Sequence, residues 1–490
     1  MLSSILWPDG VPGGRHVLSE DAVKDLKLDR LFDASALSVL RIPCSADEIG
    51  FRCELFDFAD KIDFDGLLEV CVSWEDAHRR MCASRPGLER SAAFICESER
   101  YAAMMRYLAA IPAEGRAASR LREEAGKVVS SPEFPAMLSE IKDCREKLSV
   151  IRGCSVGAPP GKWLMHRRKA DGSDGTPSGQ SDPDGIIRCV YGLTGVSLHM
   201  PAHIARPAPD GVMEGLMRLC PDEIKRLEDF AGKYAFICGV PGRLLQELRF
   251  VRDMRNFDSM LRSRGIETCR PAVSQKRMIR ADAVYDAALT LKDAPIVPND
   301  ALFDESEHMF FLTGANGGGK TTYLRAVGIM TVLFLAGCRT PCRSAEIYPF
   351  TAVYTHFPFD ERFAAEGRLA DETRRIDGIL ASADENSVVL LNETFSGTDE
   401  QKSERMVSET AKELNSRGCF GVWVTHIHAF GDSILPALSV EVDKSDSNRR
   451  TYKVVRKTAI GGSYARDILY KYGLTGEQLE KQSESPASQP

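Results

Sequence analysis

No window of about 18 consecutive apolar residues occurs in this 490-residue chain, so no membrane-spanning helix is expected. The apolar run Ile5-Leu6-Trp7 is cut short by Pro8-Asp9 and is too brief for a secretory signal. The chain has 14 cysteines but no CxxC pair. Cys338 and Cys342 lie close in sequence, yet without further partners they make no zinc framework. The thiols read as reduced groups of a cytoplasmic protein, most of them small core residues. A basic excess is also missing. The net charge is −7, which excludes a module held to nucleic acid by its overall charge. Any DNA contact must come from a local patch. Internal repeats and long heptad arrays are absent. With 43% hydrophobic and 27% charged residues, the chain reads as globular and long enough for about two to four domains.

The informative feature is Gly314-Ala315-Asn316-Gly317-Gly318-Gly319-Lys320-Thr321-Thr322. It fits G-x-x-x-x-G-K-[ST], the phosphate-binding loop of nucleotide hydrolases. An apolar strand, Met309-Phe310-Phe311-Leu312, precedes it, and a helical pattern from Tyr323 to Leu335 follows. The motif requires that strand–loop–helix setting. Its glycines let backbone N–H groups turn inward on a phosphate chain, and the helix N-terminus adds partial positive charge. Lys320 is expected to reach the β- and γ-phosphates of ATP, and Thr321 to bind Mg²⁺.

A second strand, Ser387-Val388-Val389-Leu390-Leu391, ends in Asn392-Glu393. A carboxylate at such a strand end can polarise an attacking water, so Glu393 is the candidate general base. Asn392 and Glu393 join Thr321 as candidate metal-shell residues. The next strand, Phe420-Gly421-Val422-Trp423-Val424, ends in Thr425-His426. His426 at that point is a candidate sensor of the γ-phosphate. Tyr285 has two readings: stacking on adenine, or packing under a strand.

These residues resemble the ATPase domain of the MutS family, an ABC-type fold. Thr313 to Arg325 resembles that family's TGPNMGGKSTYLR-type run, and Pro295-Ile296-Val297-Pro298-Asn299-Asp300 the segment before it. Ala336-Gly337-Cys338 with Pro341-Cys342, and Asn392-Glu393-Thr394-Phe395-Ser396-Gly397-Thr398, resemble its "GC-VPA" and "DEIGRGT" stretches. Gly461-Gly462-Ser463-Tyr464-Ala465 and Tyr472-Gly473-Leu474 resemble its ending. Upstream, Ile42 to Arg52 is similar to the opening of the family's helical core. The helical pattern from Asp222 to Arg264, with Ile224, Leu227, Phe230 and Tyr234 on one face, is similar to its second half.

The resemblance implies an α/β ABC-type P-loop ATPase domain preceded by a mainly α-helical core or lever domain. The expected boundaries are an N-terminal segment of unassigned role over 1–35 and a helical domain over 36–275. The ATPase domain follows over 276–481, and a disordered tail over 482–490. The resemblance further implies a homodimer through the ATPase domains, with ATP and Mg²⁺ as cofactors. It implies DNA as partner, mismatched or branched as in mismatch repair. The mismatch-reading domain usual in the family is not expected, because residues 1–35 leave no room for one.

Two departures from the family pattern bear on chemistry. Asn392 stands where the family has Asp. An amide still orients a metal-bound water but carries no charge, so weaker Mg²⁺ binding and slow turnover are expected. Leu369, in Gly367-Arg368-Leu369-Ala370-Asp371-Glu372, stands where a serine of the trans-acting signature is expected. Together they leave a second reading open: a nucleotide-gated binding module with little turnover and a non-DNA partner. A transporter subunit would need an LSGGQ-type signature, which is absent. His166-Arg167-Arg168-Lys169 opens the Gly/Ser/Asp/Pro-rich loop 170–185, and its charges read as a solvated flank in preference to a DNA contact. Ile186 to Ile204 reads as a small β element. The alternation from Ala437 to Ile460 around Lys444 to Asn448 reads as a hairpin.

Overall fold

The computed structural model describes residues 2–13, 16–84, 86–152, 154–157, 164–167, 186–191, 196–201, 216–239, 242–292, 296–358, 365–396, 399–426, 434–442 and 450–456. The loop 170–185, the hairpin turn at Lys444 to Asn448, the Gly461 and Tyr472 motifs and the tail 482–490 lie outside them. So do Gly397, Thr398, Arg168 and Lys169. The chain opens with α1 (Glu20–Asp25), α2 (Leu28–Leu31), α3 (Ala34–Leu40) and α4 (Ala46–Lys61). It continues with α5 (Phe64–Ala83), α6 (Leu88–Ala110), α7 (Arg116–Val129) and α8 (Glu133–Arg152). Strands β1 (Cys154–Gly157), β2 (Leu164–Arg167), β3 (Ile186–Tyr191) and β4 (Val196–Pro201) precede α9 (Pro221–Lys233) and α10 (Arg243–Ser263). Contacts divide the chain into two compact units, one of residues 1–5 and 57–249, the other of 6–56 and 250–490.

The first unit is mainly helical. Asp63 starts α5 by accepting a hydrogen bond from the Gly66 amide, an N-cap that satisfies one of the helix's orphan donors. Phe94 of α6 packs against Phe230 of α9, with ring centroids 5.8 Å apart. Arg226 of α9 pairs with Asp143 of α8 at 2.8 Å, and Lys233 with Glu140 at 2.5 Å. The apolar face read from Ile224 to Tyr234 is buried as that pattern requires. The helical run from Asp222 to Arg264 is nonetheless two helices, α9 and α10, separated by the 3₁₀ turn Ala235–Gly239. Strand β3 pairs antiparallel with β4, the small β element expected there.

The second unit carries two sheets. Strands β5 (Ala272–Val273), β6 (Ile279–Val284), β7 (Asn299–Phe303) and β9 (Ser344–Ile347) form one, in the order β5-β9-β6-β7. The other holds β8 (Met309–Thr313), β10 (Ala352–His356), β11 (Ser387–Asn392), β12 (Phe420–Val424), β13 (Ala437–Val442) and β14 (Arg450–Arg456). Its order is β10-β11-β12-β8-β13-β14, parallel except for the antiparallel pair β13–β14. Strands β8, β11 and β12 are buried at every position, as expected of parallel strands covered on both faces. Helix α11 (Lys320–Leu335) packs on this sheet, and α12 (Ala365–Ser382) and α13 (Glu400–Ser416) contribute to the core around Trp423. Leu369 packs against that core, which accounts for a hydrophobe at this position.

Residues 6–56 belong to this sheet-bearing unit, so the segment without an assigned role has a structural one. Asp25 of α1 is buried and accepts from Thr355 Oγ1 at 2.7 Å and from Arg375 Nη2 of α12 at 2.9 Å. Burial pushes its carboxyl above the usual Asp range, against the Thr355 hydrogen bond and the Arg375 charge. Ser45 and Glu48 form a capping box at the start of α4, with Ser45 N donating to Glu48 Oε2 at 2.7 Å. One turn on, Arg52 is fully buried. Its Nε donates to Leu6 O at 3.2 Å and its Nη1 to Ala336 O at 2.9 Å, and its guanidinium lies 4.1 Å from the Trp7 ring centroid.

After β11 the backbone turns sharply, with Glu393 at φ 49° and Phe395 at φ 66°, both in the left-handed region. Buried Glu372 of α12 accepts from the Phe395 amide at 2.9 Å and helps hold that turn. Two outcomes follow from these buried groups. Arg52→Met is expected to lower the unfolding free energy by about 3 kcal/mol, because two buried hydrogen bonds to carbonyls are lost. Chemical denaturation measures this. Glu372→Ala is expected to speed hydrogen exchange at 392–396 well beyond that of neighbouring β12, read by mass spectrometry.

Candidate functional site

The site sits at the C-terminal ends of three parallel strands. Register places Asn392 beside Val424, and Val424 beside Leu312. The Glu393 amide then donates to Val424 O at 2.9 Å, and the Thr425 amide to Leu312 O at 3.1 Å. Three chain exits therefore leave the sheet side by side. This is the edge of an open α/β sheet where ligands bind.

The first exit is the Gly-rich loop. Gly314 has φ 133° and would bring a Cβ to 3.0 Å from Val440 Cβ, while Gly319 caps α11 at φ 98°. A side chain at either position would strain the backbone. Lys320 folds back over the loop. Its Nζ donates to Gly314 O at 2.9 Å and Ala315 O at 3.2 Å and lies 3.5 Å from Asn316 Oδ1. Burial pushes its ammonium below the usual lysine range. The Glu393 carboxylate opposes that shift and the Arg450 charge adds to it. A buried cation beside accepting carbonyls is poised to exchange them for an anion.

The second and third exits supply oxygen and nitrogen. Thr321 Oγ1 donates to Asn392 Oδ1 at 3.1 Å, so the first turn of α11 meets the end of β11. Glu393 Oε1 and His426 Nε2 are 2.7 Å apart. The loop, Asn392, Glu393 and His426 are thus drawn together from stretches far apart in sequence.

A cavity of about 310 Å³ lies against this edge. Asn316, Gly317, Gly319, Lys320, Thr321, Thr322 and Glu393 line it. Gly314, Ala315, Gly318, Asn392 and His426 are not among the lining residues. Leu289, Val297, Asn299 and Tyr452 complete the wall, and sequence reasoning missed them as wall residues. Asn299 joins the wall to β14: its Nδ2 donates to Tyr452 O at 3.0 Å, and its Oδ1 accepts from Val454 N at 2.8 Å. Tyr452, at φ 57°, sets its ring against Gly319. Nothing local in the sequence marks this residue, because the closure depends on β14 returning to the sheet.

Tyr285 is placed elsewhere. It is buried, its hydroxyl donates to Glu267 Oε2 at 3.1 Å, and it is not among the residues lining the cavity. Its amide donates to Pro341 O at 2.9 Å, so both its backbone and its hydroxyl are tied to residues outside the cavity lining. The aromatic residue on the cavity wall is Tyr452.

The family model of MutS domain V matches residues 310–474. The chain is 25% identical over 200 residues to the DNA mismatch repair protein MutS of Oceanobacillus iheyensis, covering 39% of this chain and 23% of that protein. It is 28% identical over 245 residues to Endonuclease MutS2 of Geobacillus thermodenitrificans, covering 48% of this chain and 31% of that protein. It is 30% identical over 150 residues to the DNA mismatch repair protein MutS of Chlorobium limicola, covering 30% and 17%. The chain thus spans less than a third of the length of each of these relatives. Residues 310–474, which hold the loop and strand ends described above, are thus a domain V of the MutS family.

Proposed function

We propose that the chain is a MutS-like ATPase that couples ATP binding and hydrolysis to binding of DNA. One observation carries this reading: residues of the Gly-rich loop and Glu393 line one cavity at the sheet edge, and Asn392 is bonded to Thr321 of that lining. The loop amides and the start of α11 favour a phosphate chain. Lys320 exchanges its loop carbonyls for phosphate oxygens. Tyr452 gives the cavity wall an aromatic face for the base.

The donor set fits Mg²⁺. Thr321 and Asn392 present hard oxygens 3.1 Å apart, and Glu393 adds a carboxylate nearby. Held there, Mg²⁺ would neutralise charge on the phosphates. Asn392 is uncharged where the family has Asp, so its hold on the ion is weaker. Glu393 accepts the proton of the attacking water, and His426 orients that carboxylate through its 2.7 Å contact. The proposed assembly is a homodimer through the ATPase domains. In it the helical segments act as levers on mismatched or branched DNA, in the cytoplasm. Among the described residues, no helix is long and apolar enough to cross a membrane.

The test is ATP hydrolysis by the purified chain, alone and with homoduplex, mismatched and branched DNA. Stimulation by one DNA form is expected. Lys320→Ala is expected to abolish hydrolysis, and undiminished turnover in that variant would remove the site assignment. Glu393→Gln is expected to bind ATP while turnover falls by about 10²–10⁴-fold. Equal turnover with every DNA, or with none, would keep the ATPase and contradict the coupling. Asn392→Asp is expected to lower the Mg²⁺ concentration needed for half-maximal turnover by about tenfold or less. An unchanged Mg²⁺ dependence would show that Asn392 does not set it.

A further inference from the structure

Two thiols of the second unit lie in contact away from the phosphate loop. Cys269, half-buried, follows α10, and Cys342, buried, lies between α11 and β9. They are 73 residues apart in sequence, and their sulfurs are 3.4 Å apart. The backbone fixes this approach. The Cys269 amide donates to Thr340 O at 3.1 Å, and the Thr340 amide returns a bond to Cys269 O at 2.8 Å. The Cys342 amide donates to the same Thr340 O at 2.9 Å, and the Arg343 amide to Asp282 O at 3.0 Å. Thr340 Oγ1 lies 3.2 Å from Cys342 Sγ and 3.7 Å from Cys269 Sγ. Among the described residues, no group of three or more His, Cys, Asp or Glu could hold a metal ion. The chemistry available to the pair is therefore that of two thiols.

We propose that Cys269 and Cys342 are a redox pair that hydrogen peroxide oxidises to an intramolecular disulfide. Cys269 is the more exposed of the two and attacks first. Its thiolate sulfur bonds to one peroxide oxygen, the O–O bond breaks, and the departing hydroxide takes up the proton that Cys269 shed. One water has left, and Cys269 is a sulfenic acid. The Cys342 sulfur then attacks the Cys269 sulfur. The S–O bond breaks, the Cys342 proton goes to the leaving oxygen, and a second water departs. The two thiols lose two electrons in all, and the peroxide is reduced to two waters.

The environment divides these roles. The hydrogen bond with Cys342 pulls Cys269 down to about 7, against burial, with Thr340 and the Arg339 charge assisting. The same contact and burial push Cys342 well up, so it stays protonated and waits as the resolving thiol. Closing the bond needs the sulfurs to approach by roughly 1.4 Å more, within reach of side-chain rotation and small backbone adjustment. The disulfide joins the segment after α10 to the segment after α11. It closes a long loop, which restricts the unfolded chain and raises stability.

The full chain would be reduced, exposed to hydrogen peroxide at neutral pH, blocked with N-ethylmaleimide and digested without reductant. Mass spectrometry is expected to find the Cys269 and Cys342 peptides joined and lighter by two hydrogens, and separate again after dithiothreitol. Oxidised protein is expected to melt higher than reduced protein. Cys269→Ser and Cys342→Ser are each expected to abolish both the linked peptide and the shift. The proposal is overturned if both cysteines are recovered as maleimide adducts, or if either joins a different cysteine instead. It is equally overturned if Cys269 oxidises beyond sulfenic acid without linking. Should a serine variant not fold, the wild-type peptide map decides between these outcomes.

Discussion

Backbone hydrogen bonds along β8, β12 and β11 fix the line on which the site is built. They hold Leu312, Val424 and Asn392 abreast, so three separate chain exits open at one edge. Side chains alternate across a strand, so a slip of one residue would turn each exit to the opposite face. Full burial of these strands on both faces guards the register. The loop's contacts with Val440, the Thr321–Asn392 bond and the Glu393–His426 contact presuppose that alignment. The chemistry of the edge is thus a consequence of sheet packing, most of it by residues that never touch the cavity.

The same edge is tied to helices at its flank. Glu372 accepts from the amide of Phe395, in the turn that carries Glu393. One turn along α12, Arg375 bonds Asp25 of α1, which also accepts from Thr355 at the end of β10. Buried polar contacts of this kind resist rearrangement, since each one broken removes a hydrogen bond in a low-dielectric interior. The N-terminal helices therefore brace the sheet. Arg52 does the same at the far end of α11, where it holds Ala336 and Leu6.

Much of this was legible in the sequence, and the limits have physical causes. The Gly-rich loop, its strand and its helix are local features, set by glycine conformation and apolar run length. The two strands ending at Asn392 and His426 announced themselves as uninterrupted apolar runs. The Asp222 to Arg264 pattern showed helix but hid its break, because periodicity persists across a single 3₁₀ turn. Tyr452 and Asn299 could not be found, because they join the cavity wall only when β14 pairs with β13. Tyr285 is close in sequence to the wall residue Leu289, yet its hydroxyl bonds Glu267 and it is not among the lining residues. The Cys269–Cys342 contact spans 73 residues, which no spacing rule reaches.

Hydrogen exchange across the loop and the first turns of α11, with and without Mg²⁺-ATP, tests the central claim most directly. A phosphate chain held by the amides of 314–322 predicts strong slowing of exchange there. Weaker slowing is expected at 392–396, and no change in α5 to α8 of the other unit. Exchange at 314–322 that is unchanged by saturating Mg²⁺-ATP would contradict the account, whatever binding is seen elsewhere on the chain.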